Sequence, residues 1–189
     1  GTVMALAALG RHSLVDKMRD IVRLEPEGRF SINMSYFGYD SFGMLRPFKR
    51  KFLETFGPAR RRDEPLNAHH EDLAYALQVV TEEVVLHIVK AARQRYPSAN
   101  LCMVGGVALN CVANARVLRE SGFERIWIPP CASDTGGPLG SALWHQHQTL
   151  REPRRTTMTH AYYGLGYDDR LIEPALQSPR LAFQRLDNA

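Results

Sequence analysis

LCMVGGVALNCVANARVLRESGFERIWIPPCASDTGGPLGSALW, Leu101 to Trp144, decides how this chain is read. It holds two glycine-bearing loops, GGVALN (Gly105 to Asn110) and SDTGG (Ser133 to Gly137), each joining a strand-like run to a helix-like run. A strand that ends in glycines and opens into a helix presents bare backbone N–H groups and the positive end of a helix dipole. That combination receives anions, phosphates above all. Two such loops in succession suggest one nucleotide cleft.

The flanking residues fit this design. Leu101-Cys102-Met103-Val104 is a short apolar run, expected as a strand buried on both faces of a mixed sheet. Gly105 and Gly106 stop it and let a ligand approach the main chain. Leu109, Val112, Ala113, Val117 and Leu118 recur at helical spacing and predict a helix with one packed face, stopping at Gly122. Asn110, near its start, has an amide able to bond a ribose, a phosphate or a free backbone group. Arg125 to Ile128 is the second strand, ended by Pro129-Pro130. A second helix begins at Pro138 and runs to about Gln148. Asp134 stands just before it, either as a cap for its N–H groups or as a metal ligand beside phosphates. Double glycines after a strand are also found in tight turns without a ligand.

Upstream, Phe30, Ile32, Met34 and Tyr36 alternate and predict a half-buried strand, and Arg46 to Phe56 a short amphipathic helix. Leu73, Leu77, Val80, Val84, Ile88 and Ala91 form a stripe that predicts a long helix from His70 to Arg95, packed on the sheet. His87 lies off that stripe and is expected to be exposed. His69 and His70 read as cap-region groups. Towards the end, Asp168 or Asp169 would cap a short helix through Leu176, and Leu181-Ala182-Phe183 begins a strand-like run.

A chain of 189 residues is long enough for one domain with a core, and its formal charge is +4. The basic clusters Lys49-Arg50-Lys51, Arg60-Arg61-Arg62 and Arg151 to Arg155 lack interleaved aromatics, so they read as solvated faces and not as a nucleic-acid site. One of Arg60 to Arg62 could instead face an anionic ligand. The three cysteines, Cys102, Cys111 and Cys131, have no metal spacing and read as reduced thiols. No run approaches bilayer length, and a cytoplasmic protein is expected.

The run from Asn100 to Trp144 resembles the carbamoyltransferases that act on antibiotics and nodulation factors, the NodU/CmcH/TobZ family. GTVMALAALG (Gly1 to Gly10), FGPARRR (Phe56 to Arg62), HEDLAYALQVVTEEVV (His70 to Val85) and HAYYGLGYDDRLI (His160 to Ile172) are similar to further family segments. The resemblance implies an α/β fold: half of an actin/sugar kinase/Hsp70-type, Kae1-like ATP-binding domain, a mixed sheet with flanking helices. Residues 1–158 would be the C-terminal part of that domain. Residues 159–189 would be a linker and the start of a truncated YrdC-like domain.

By the same resemblance Gly105, Gly106 and Val107 would meet nucleotide phosphates, Asn110 would help hold the nucleotide, and Gly136 and Gly137 would shape the second phosphate-facing turn. Asp134 would be a carboxylate ligand of a divalent metal, Fe2+ in the family. The implied reaction passes a carbamoyl group from carbamoyl phosphate, through an ATP-derived carbamoyl-adenylate, to a hydroxyl of a natural-product or sugar acceptor. The missing halves of the same polypeptide would complete it. Thr2 stands where the family carries lysine, and the family's HxxxH metal histidines have no counterpart here, being expected upstream of Gly1. Two other readings are a threonylcarbamoyl-transferring tRNA modification protein and a non-catalytic nucleotide-binding fragment.

Overall fold

The computed structural model describes residues 2–42, 47–155, 157–177 and 182–184. Its central element is a helix of 28 residues, α5, Ala68–Arg95. Asn67 starts it with a capping box: its side-chain oxygen accepts from the N–H groups of His69 and His70, and its own N–H donates to Nδ1 of His70 at 3.2 Å. His69 contributes at the same end, its Nε2 lying 2.7 Å from the carbonyl of Phe56. The two histidines therefore belong to the cap region, as expected. Two of the donors left free at any helix start are satisfied in this way.

The N-terminal third folds against one side of α5. Helices α1 (Thr2–Ala7) and α2 (Val15–Arg19) lead into strands β1 (Val22–Leu24) and β2 (Phe30–Ile32), which pair antiparallel with Val22 opposite Ile32. After α3 (Tyr39–Phe42), α4 (Arg50–Phe56) returns to α5. Val15, Met18, Ile21, Tyr36, Phe56, Ala76 and Val80 make one core cluster. Asp72 of α5 holds this third in place. Its carboxylate accepts from the N–H of Arg11 at 2.7 Å and the hydroxyl of Ser13 at 2.5 Å.

The C-terminal side of α5 packs on a β-α-β unit. Strand β3 (Asn100–Cys102), helix α6 (Cys111–Glu120) and strand β4 (Arg125–Trp127) follow in order, and β3 pairs parallel with β4, Asn100 opposite Arg125. Val89, Val117 and Phe123 form the second core cluster, with Leu101, Met103 and Ile126 against it. Helix α7 (Gly137–Trp144) carries Pro138 in its first turn, and α8 (Asp169–Leu176) is capped by Asp168, whose side chain accepts from Leu171.

Several expectations need correction. Among the described residues there is no continuous mixed sheet but two separate two-stranded sheets, one antiparallel and one parallel. The Leu101–Val104 run is not buried on both faces: Asn100 and Cys102 are exposed, and Val104 is 73% exposed. Among the described residues β3 pairs with β4 alone. The alternation from Phe30 to Tyr36 does not give one strand. The strand stops at Ile32, all of it exposed, and turns bonded from Tyr36 to Asn33 and from Phe37 to Met34 bring Tyr36 into the core. The helix expected from Arg46 starts at Arg50, because Phe48 bridges to Phe37; Arg46 itself lies outside the described residues. Leu181 also lies outside them, and 182–184 are not in a strand. His87 is half-buried, its Nε2 donating to the carbonyls of Glu25 at 2.8 Å and Arg29 at 3.0 Å. Among the described residues no helix is long and apolar enough to cross a membrane.

Two stability measurements follow from the contacts of α5. Asn67→Ala removes the capping side chain and should cost about 1 kcal/mol in urea unfolding. The carboxyl of Asp72 is held below its ordinary 3.8, first by the Ser13 hydroxyl and then by the Arg11 N–H. A depressed folded value means stability that is present above the ordinary carboxylate range and is lost as pH falls through the folded value. Asp72→Asn should therefore narrow the difference in urea midpoint between about pH 7 and about pH 3; a difference equal to that of the parent would show that the bonds do not form.

Candidate functional site

Parallel pairing decides where the two glycine loops lie. Strands β3 and β4 run in the same direction, so the loops that leave them emerge at the same edge, the carboxyl ends where open α/β sheets bind ligands. The N–H of Gly105 donates to the carbonyl of Ala132 at 2.7 Å and ties one loop to the other. The N–H of Met103, bonded to the carbonyl of Trp127 at 3.0 Å, continues the ladder just below.

Gly105 takes φ 97, a conformation an L side chain rarely adopts, and this lets the chain turn from β3 into the short 3-10 helix Gly106–Leu109. A Cβ built on Gly105 or Gly106 meets nothing within 4 Å, so the first loop faces open space. Val107 is 55% exposed there. In the second loop Gly136 has the opposite reason to be glycine. A Cβ on it would lie 2.1 Å from the carbonyl oxygen of Cys131, because the 3-10 turn Asp134–Gly136 closes over that carbonyl. Gly137 opens α7 and again has nothing near its missing side chain.

Asn110 is the N-cap of α6, its side-chain oxygen accepting from the N–H of Ala113 at 3.1 Å. Of the uses its amide could have, bonding a free backbone group is thus realised. The same amide bonds Gln78 of α5, a polar residue off the apolar stripe that the sequence pattern did not single out because its partner lies 32 positions away. Ala113 and Val117 form the packed face of α6, whereas Leu109, Val112 and Leu118 are exposed.

Asp134 does not cap. The N-cap positions around it, Ser133 and Gly136, make no side-chain cap bond, and its exposed carboxylate has no protein partner among the described residues. Among the described residues no group of three or more His, Cys, Asp or Glu side chains converges. A single carboxylate does not hold a divalent metal tightly, so these residues alone do not fit a metal centre.

A sizeable apolar cavity lies elsewhere. It measures about 710 Å³ and is lined by Phe37, Phe48, Phe52, Phe56, Leu73 and Leu77, reaching the glycine loops only at Val107. The stripe predicted for α5 as core is core in part: Val80 is buried, with Leu73 and Val84 packed against its cluster, while Leu77 and Ile88 line this space and are exposed. Its polar neighbours have internal partners: Nε2 of His69 is on the Phe56 carbonyl, and Arg60 donates to the carbonyls of Glu64 and Arg62. Arg60 is thereby bonded to its own loop. An apolar space without convergent polar groups is packing surface; the strand edge, with bare N–H groups, is the candidate site.

The chain matches the family model described as carbamoyltransferase N-terminus over residues 1–143. It is 42% identical to an uncharacterised protein of Synechocystis across 94% of this chain and 29% of that protein. With the nodulation protein NolO of Bradyrhizobium diazoefficiens the identity is 32%, across 74% of this chain and 27% of the relative. A 3'-hydroxymethylcephem-O-carbamoyltransferase of Streptomyces clavuligerus is 26% identical across 76% of this chain and 24% of its own length. The chain thus spans less than a third of these relatives. The match is to the N-terminus of such proteins, a broader statement than the second half of a domain read from the sequence. On the extent of that match, the chain belongs to the carbamoyltransferase family, in the region described as the carbamoyltransferase N-terminus.

Proposed function

We propose that this chain is the nucleotide-holding part of an O-carbamoyltransferase. The observation that carries the reading is the pair of glycine loops fixed side by side at the carboxyl edge of β3 and β4 by the Gly105 to Ala132 hydrogen bond. Backbone N–H groups of Gly106 and Val107 then bind a phosphate of ATP or of a carbamoyl-adenylate, and the open faces of Gly105 and Gly106 admit it closely. The turn at Gly136 and Gly137 supplies the second wall. The acceptor hydroxyl attacks the carbamoyl carbon of the carbamoyl-adenylate, its proton passes to solvent water, and the bond to the phosphate oxygen breaks as AMP departs. Holding its phosphate on preorganised donors stabilises the charge that develops there.

Residues 1–158 serve in this reading as the C-terminal part of a Kae1-like domain, and 159–189 as the lead into a YrdC-like domain. The support is that both glycine loops lie within residues 1–143, the stretch matched by the carbamoyltransferase N-terminus. Asp134 would offer one carboxylate to a divalent metal, the further ligands not lying among the described residues; its side chain is exposed and has no bond partner among them. The metal, when bound, supplies Lewis acidity.

Asp134→Asn in the full chain should abolish ATP-dependent carbamoyl transfer and lower bound metal while leaving the thermal midpoint unchanged; unaltered activity and metal content would refute the role. The glycines should separate into two kinds. Gly106→Ala, pointing into open space, should change stability by less than about 0.5 kcal/mol yet weaken ATP binding. Gly136→Ala, colliding with the Cys131 carbonyl, should destabilise by about 1–3 kcal/mol. Transfer to tRNA in place of a small-molecule hydroxyl would favour the threonylcarbamoyl reading.

A further inference from the structure

On α5, between Ala76 and Val80 of the first core cluster, lies a buried polar side chain, Gln78, which is 8% exposed. It forms a closed pair with Asn110: Nδ2 of Asn110 donates to Oε1 of Gln78 at 2.9 Å, and Nε2 of Gln78 donates to Oδ1 of Asn110 at 3.2 Å. Nε2 also donates to Oε1 of Glu82 at 2.7 Å.

The direction of every bond in this set is fixed from both ends. At one end the Ala113 N–H can only donate, so the Asn110 atom facing it must be oxygen. At the other, Glu82 is paired with Arg116, 3.5 Å away, and accepts only. The Arg116 guanidinium is itself held charged by its bond to Glu120 and then by Glu82. Gln78 sits between these ends and cannot flip without placing oxygen against oxygen twice.

Asn110 is then polarised. An amide oxygen has two lone pairs, and here the Ala113 N–H and the Gln78 N–H occupy both. One Nδ2 hydrogen is on Gln78, which leaves the other as the amide's remaining capacity. We infer that Gln78 is a positioning residue of the nucleotide site: it locks the Asn110 amide so that it offers a bound nucleotide one N–H donor and no acceptor. The matching ligand atom is an acceptor, an oxygen of phosphate or ribose. The inference rests on the reading of the Gly105 to Asn110 loop as a nucleotide loop.

The test is calorimetric titration of ATP into the full chain and its Gln78→Met and Gln78→Glu variants, with thermal midpoints measured alongside. Gln78→Met keeps the length of the side chain and frees the Asn110 amide to rotate. It should raise the ATP dissociation constant about tenfold. Gln78→Glu keeps the acceptor for Asn110 but loses the donor and places a second carboxylate beside Glu82, which favours the protonated form. Its affinity should be weak at about pH 8 and approach that of the parent at about pH 5, where the added proton restores the donor. The Gln78→Met deficit should be the same at both pH values. Lowered midpoints with unchanged ATP affinity, or a Gln78→Glu affinity that does not recover relative to the parent, would make Gln78 a strut only and overturn the inference. Failure of the parent protein to bind ATP would instead remove the nucleotide reading and this inference with it.

Discussion

Burial of both ends of α5 on opposite partners is the constraint on which the rest depends. A helix of 28 residues is some eight turns long, too long for one small cluster to cover. Val80 and Ala76 pack with Val15, Met18 and Phe56 towards its start, and Val89 packs with Val117 and Phe123 towards its end. The β1–β2 hairpin joins this frame through His87 and the β-α-β unit through Gln78 and Glu82, so polar bonds set the register that apolar contact alone leaves loose. The Arg19 to Glu83 ion pair, on an exposed surface, adds little by comparison.

From that frame the site follows by connectivity. Two adjacent parallel strands require a crossover, and α6 provides it by packing Ala113 and Val117 inwards. The crossover obliges both strand ends to face the same way. Glycine then appears at the edge for two distinct reasons: the backbone angle at Gly105 and the approach of the Cys131 carbonyl at Gly136. The first leaves room for a ligand, whereas the second is internal packing. A motif read only as glycine-rich joins these two demands under one label.

Much of this order is legible in the sequence. Strong periodicity located α5 and α6, and proline and glycine marked the start of α7 and the end of α6, where Gly122 has φ 82. Local grammar also placed the loops on strand ends. It failed where tertiary pairing decides. An alternating run from Phe30 to Tyr36 says nothing of the turn after Ile32, and an apolar run such as Leu101–Val104 does not reveal how many strands lie beside it. For Asp134 the pattern allowed cap or ligand, and only geometry removed the cap. Gln78 was invisible because its importance comes from a residue 32 positions away.

The central claim is that the edge carrying Gly105 to Asn110 and Ser133 to Pro138, and not the phenylalanine-lined cavity, receives the nucleotide. Amide hydrogen exchange of the full chain with and without ATP addresses it directly. The account predicts slowed exchange confined to residues 105–110 and 133–138, with the segment from Phe48 to Phe56 unchanged. Protection of the Phe48 to Phe56 segment with none at the two loops would contradict it.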